Sequence, residues 1–163
     1  MNMHLDNRYL NVLGQINLDD LHIQQTFDYY QKQYEKNMLA QQFVLTSIRI
    51  SDELRLHPEP VFCDRTMGSQ IPPRRTFEGG AIRGSLQRCG LIRASGHELF
   101  RGCVIFPIKD VNGNIISATG YRITSRLRDW DTPIVLWRKP EPDAFIDLGM
   151  SKVKEILHDQ TYH

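Results

Sequence analysis

Phe100-Arg101-Gly102-Cys103-Val104-Ile105-Phe106-Pro107-Ile108-Lys109-Asp110 runs through Val111-Asn112-Gly113-Asn114 into Ile115-Ile116-Ser117-Ala118-Thr119-Gly120-Tyr121-Arg122-Ile123. Val104-Ile105-Phe106 is a strand-forming centre, Asn112-Gly113 is a strong signal for a tight hairpin turn, and the apolar pattern resumes at Ile115. The spacing predicts one strand over residues 99–108 and a second over 115–123. Pro107 has no N–H to give to a ladder, so it belongs at an edge position or a strand end.

Outward from this hairpin, residues 133–137 form a third extended piece, followed by a loop through Pro140 and Pro142. A terminal helix is expected to begin near Ser151. On the other side, residues 81–89 form a short helix with Gly90 as a left-handed C-terminal cap. Residues 58–80 are rich in Pro, Gly and Arg, and Pro72-Pro73-Arg74-Arg75 reads as an exposed loop. A short helix over 52–56 is stopped by Pro58 and Pro60 and follows a break over 47–51. Asp19 and Asp20 place acid in the first turn of a longer helix, where the dipole favours it. Its stripe of Ile23, Phe27, Tyr30, Tyr34 and Met38 recurs every three or four residues. Such a stripe can stack bases or face a core, and the spacing favours the core. Residues 1–18 are read as an N-terminal arm and 19–163 as a single domain.

With 163 residues, 40% hydrophobic and 24% charged, the chain has the size and composition of one folded, soluble domain. No apolar run approaches the roughly 20 residues of a membrane span. The polar N-terminus carries no signal-peptide core, so a cytoplasmic location is expected and a membrane partner is not. A net charge of +1 gives no global field to attract a polyanion, but the charge is uneven. Arg65, Arg74, Arg75, Arg83, Arg88, Arg93 and Arg101 face only Asp64, Glu78 and Glu98 within their stretch. Arg122, Arg126, Arg128, Arg138 and Lys139 form a second basic stretch. Cys63, Cys89 and Cys103 are widely spaced without a C-x-x-C pair, which points to buried thiols over a zinc site or a disulfide framework. His4, His22, His57, His97, His158 and His163 show no ligand-set spacing, and no serine or cysteine carries a nucleophile signature. No catalytic residue, metal or cofactor is therefore assigned.

The hairpin and its flanks resemble a known pattern. Phe100 to Arg122 is similar to F-R-x-R-[VIL]-x-F-P-I-[RK]-D-x-x-G-x-[VI]-[IV]-x-x-x-G-x-[RK], which marks the N-terminal lobe of the RNA polymerase domain in DnaG-type bacterial primases. Weaker similarity follows in Phe27-Asp28-Tyr29-Tyr30, Ser51-Asp52-Glu53-Leu54, Leu86-Gln87-Arg88-Cys89-Gly90-Leu91-Ile92, Thr132-Pro133-Ile134-Val135-Leu136 and residues 145–156. The resemblance covers roughly residues 25–157. The sequence shows no counterpart of the family's zinc ribbon or of its metal-holding TOPRIM domain. Asp129 with Asp131, and Asp143 with Asp147, read as loop and helix-start acids.

The resemblance implies an α+β fold like the N-terminal lobe of the DnaG catalytic core, with a small antiparallel sheet and flanking helices. It places Arg101 and Arg122 where the family has arginines facing the template cleft. Arg101 could equally pair with Glu98 or another carboxylate, and Arg122 could cover apolar surface with its stem. The family's second arginine is Cys103 here, and its lysine in the T-P-K stretch is Ile134, departures that weaken nucleotide binding more than simple phosphate binding. Lys109, Arg74, Arg75, Arg126, Arg138 and Lys139 complete the expected nucleic-acid-binding set. Trp130, between two aspartates, is expected at the surface, and Trp137 in the core.

The expected function is a DNA-binding, primase-like accessory that favours single-stranded or partly melted DNA, in replication or transfer of a mobile element, and is not catalytic alone. Two rivals stand beside it. One is the template-binding subunit of a split primase whose TOPRIM protein is separate. The other is an interaction module for a replication or recombination protein, or for a second copy in a homodimer.

Overall fold

The computed structural model describes residues 3–124 and 126–140, with side chains from Leu18 onward. The terminal helix expected near Ser151, and Asp143 and Asp147, lie outside the described residues. Contacts divide the chain into two units, Met1–Leu21 with Pro140–His163, and His22–Lys139. In the first unit, residues 3–21 are helical. All that follows concerns the second.

Helix α1, Met3–Lys36, begins well before Asp19, where the sequence reading started it. Its stripe is buried at Ile23, Phe27 and Tyr30, but Met38 is 75% exposed. The periodicity fails there because Asn37 leaves the helical region (φ −110°, ψ 101°) and caps a new helix, α2, Met38–Thr46. Its side chain accepts the Ala40 N–H at 2.9 Å, one of the donors a helix start leaves unsatisfied. Ser51 caps α3, Asp52–Arg55, in the same way. Strand β1, Val61–Phe62, and helix α4, Met67–Gln70, follow. Then α5, Phe77–Cys89, runs from its Thr76 cap to Gly90, whose φ of 85° ends the helix as expected.

The hairpin forms from β2, Cys103–Lys109, and β3, Ile115–Arg122, and β4, Ile134–Arg138, completes the sheet. All pairings are antiparallel in the order β1-β2-β3-β4. The first strand starts later than residue 99 because Gly102 sits at φ 67° and Cys103 N–H closes a turn onto the Phe100 carbonyl at 2.9 Å. A left-handed residue cannot continue an extended strand. β1 was not foreseen: two residues between a proline pair and a Pro/Gly/Arg loop show no alternation to read.

Strand alternation sends residues to two cores. Cys103 and Ile105 of β2, Ala118 of β3, and Val135 and Trp137 of β4 pack with Ile23, Phe27 and Tyr30 of α1 and with Leu86 and Cys89 of α5. Val104 and Phe106 face the other way, onto Phe62 and onto Ala40 and Val44 of α2. Each buried ring of the size of Phe100 or Phe106 contributes about 1.5–3 kcal/mol relative to exposure. Trp137 joins three elements, with its ring centroid 5.7 Å from that of Phe27 and its Nε1–H donating to the Cys89 carbonyl at 2.7 Å. The three cysteines are buried and none forms a disulfide. No helix among the described residues is long and apolar enough to cross a membrane.

Candidate nucleic-acid interface

At the end of the sheet where β2 begins and β3 ends, the chain opens into a cleft of about 370 Å³. Arg65, Arg101, Arg122, Arg126 and Arg128 line it, with Asp131 as the only carboxylate in the lining. The backbone explains the convergence. Gly102 turns the chain into β2 and carries Arg101 at the turn. Arg122 lies directly opposite Cys103 in the ladder, so the last residue of β3 stands beside the first of β2. Arg65 follows β1, and Arg126 and Arg128 belong to the connection from β3 to β4.

The arginines divide by what they hold. Arg122 is 6% exposed, and its Nε donates to the Thr132 carbonyl at 2.7 Å while Nη1 donates to the Arg101 carbonyl at 2.8 Å. It therefore ties two loops to the floor of the cleft. Its own carbonyl accepts Arg49 Nη2 at 2.7 Å. Arg126 N–H donates to Thr124 Oγ1 at 3.2 Å and Arg128 N–H to Asp131 Oδ2 at 3.2 Å, bonds that fold the loop. The Arg128 guanidinium lies 5.4 Å from the Trp130 ring centre, and Trp130, which does not itself line the cleft, is 74% exposed. Among the described residues, Arg65, Arg101 and Arg126 have no side-chain ion pair. Burial pushes the Cys103 thiol up to about 12, against the opposing pull of Arg122 and Arg65, so it stays protonated beside the cleft.

Of the residues singled out from the sequence, Arg101, Arg122 and Arg126 come together here. Lys109 does not: it stands at the hairpin end of β2, about 20 Å along the strand, and pairs with Glu59 at 2.7 Å. That bond and the ammonium charge hold Glu59 below its ordinary value. Arg138 and Lys139 stand at the other end of β4, where Arg138 lies opposite Ser117. Arg74 and Arg75 occupy the exposed loop before α5 and do not line the cleft. Glu98 is not a partner of Arg101. It is buried, accepting Tyr30 O–H at 3.1 Å and Cys63 S–H at 3.4 Å. Arg65 and Arg128 were missing from the sequence-derived set. Arg128 had a signal, since it lies in the same basic stretch as Arg126. Arg65 had only its charge.

Among the described residues no cluster of three or more His, Cys, Asp or Glu is placed to hold a metal. Chemically, the cleft offers excess positive charge and planar guanidinium donors, which suits phosphate oxygens.

No family model matches this sequence, and no curated protein matches it. Solved structures do. The DnaG catalytic core is similar with a TM-score of 0.54 and 21% identity, over 76% of this chain and 38% of that one. The DnaG primase catalytic domain bound to ssDNA gives a TM-score of 0.45 and 21% identity, over 86% and 41%. The chain thus spans well under half the length of the primase cores it matches. Its four-stranded antiparallel sheet and flanking helices have a fold like that of the DnaG catalytic core.

Proposed function

We propose that this chain is a DNA-binding, primase-like protein that holds the phosphates of single-stranded or partly melted DNA in the arginine cleft. One observation carries the reading: five arginines converge on one cleft against a single aspartate. Like charges gathered with so little opposing carboxylate raise the energy of the folded state unless a polyanion neutralises them. The DnaG-like fold makes DNA the polyanion of choice, and the finer assignment to the primase N-terminal lobe belongs to the same reading, as does the replication or mobile-element setting. In this reading the cleft arginines are assigned to phosphate binding, and the chain acts as an accessory.

The test is fluorescence anisotropy with labelled single-stranded and duplex DNA at low and near-physiological salt. Arg101→Ala/Arg126→Ala is the informative variant, because Arg122 also holds loops through its guanidinium and its loss would confuse folding with binding. Wild type is expected to prefer the single strand. The double variant should bind at least about tenfold more weakly, with a shallower salt slope, because each lost phosphate contact removes about 0.7 from that slope. No binding by wild type at low salt would overturn the reading.

A second reading has its own observation. Ile134 and Leu136 of β4 are 45% and 74% exposed on the strand face opposite Val135 and Trp137. Exposed apolar residues on an edge strand suit a protein partner, in the manner of an interaction module. Absence of DNA binding, together with salt-independent capture of a replication protein, would favour it.

A further inference from the structure

Arg65 is the one non-glycine residue with positive φ among the described residues, at 72°. In this left-handed region the Cβ crowds the following carbonyl, so a long side chain stays there only where its surroundings impose it. Both flanks are visibly fixed. Before it, Cys63 N–H donates to the Cys103 carbonyl at 3.1 Å and the Cys63 carbonyl accepts Gly102 N–H at 2.9 Å. After it, the Thr66 hydroxyl lies 2.5 Å from Asp64 Oδ1 and 2.5 Å from the Tyr29 hydroxyl, and Gln33 Nε2 donates to it at 3.1 Å. Thr66 N–H also donates to Asp64 Oδ1 at 3.1 Å. Sheet pairing holds one side and α1 holds the other, and the backbone turns left between them.

This arrangement lays the Arg65 guanidinium across Gly102 at the cleft, so close that a Cβ on Gly102 would stand 3.2 Å from Nη2. Yet the side chain is exposed and makes no ion pair among the described residues. The backbone N–H of Arg65 bonds to Cys63, a contact that any residue at this position could make, so it does not account for a long cationic side chain there. We infer that Arg65 is a phosphate-contacting residue of the cleft, positioned by the Tyr29–Thr66–Asp64 clamp, an inference that rests on the nucleic-acid reading of that cleft.

Glycine relieves the strain and removes the charge together, so Arg65→Gly separates a binding role from a structural one. With a labelled oligothymidylate of about 15 nucleotides as probe, Arg65→Gly is expected to bind about tenfold more weakly, with a salt slope shallower by about 0.7. Its melting temperature should hold or rise by about 2–4 °C. Arg65→Lys, which keeps the charge, should recover most of the affinity. For the clamp, Thr66→Val should weaken binding and Thr66→Ser restore it. Arg65→Gly binding like wild type, while Arg101→Ala/Arg126→Ala binds weakly, would overturn the inference and leave the cleft reading intact. A lower melting temperature in Arg65→Gly would also overturn it, since Arg65 would then be holding the fold. If wild type itself fails to bind the oligonucleotide, both fall together.

Discussion

Glu98 is a buried carboxylate with no cationic partner among the described residues: Tyr30 and Cys63 donate to it from one side, and Gly68 N–H from another. Burial raises its pKa first and foremost, Asp64 adds a smaller push, and the three donors pull back without cancelling the rise. The same burial, with Cys63 and Glu98 close by, lifts the Tyr30 phenol well above its ordinary value, so it stays a donor. A carboxyl whose folded pKa exceeds its unfolded one binds its proton more tightly when folded. Its stabilisation is complete below the unfolded value and is lost as pH rises through the folded one. Wild type should therefore gain thermal stability relative to Glu98→Gln as pH falls from 7 to 5. Melting curves of the two proteins across that range check this, and parallel curves would contradict it. Glu98 also shows what a sequence conceals. It read as one acid balancing a basic stretch, because nothing in 97–99 signals that the turn at Gly102 folds Phe100 and its neighbours into the core.

The hairpin was legible because its signals are local: a turn dipeptide, an alternating flank and a proline at a permitted place. The Gly90 cap and the exposed Pro72–Arg75 loop were legible for the same reason. Of the cleft, Arg101 and Arg122 were legible through the resemblance and Arg126 through its basic stretch, whereas Arg65 and Arg128 reach it through loop geometry that sequence spacing does not encode. Gly120 illustrates a constraint between elements. It lies in β3 opposite Ile105, and a Cβ there would stand 2.6 Å from Cδ1 of Phe100. The ring is fully buried and has no room to retreat. Gly120→Ala should cost about 1–3 kcal/mol, the usual range for overpacking. Chemical denaturation measures it, and a loss below about 0.5 kcal/mol would show that Phe100 can move aside.

For the chain as a whole, a net charge of +1 and a sequence pI near 7.8 leave little long-range field despite the arginine cleft. Association with DNA should then be governed by the local patch. The rate constant is expected to stay near 10⁵–10⁶ M⁻¹s⁻¹, roughly the unsteered range, with salt acting mainly on dissociation. Stopped-flow mixing with labelled single-stranded DNA decides it, and a rate that climbs steeply as salt falls would show global steering instead. The sheet itself is asymmetric at its two borders. Beyond the two residues of β1, β2 presents Pro107, which has no N–H, and the Pro107 carbonyl is already taken by His57 Nε2 at 2.8 Å. At Pro107 that border offers a further strand neither donor nor free acceptor, while β4 has a strand neighbour on one side only among the described residues. A ribbon with one open margin cannot polymerise by strand addition: two copies meeting margin to margin exhaust each other, so such self-association would stop at a closed pair instead of growing into a fibre.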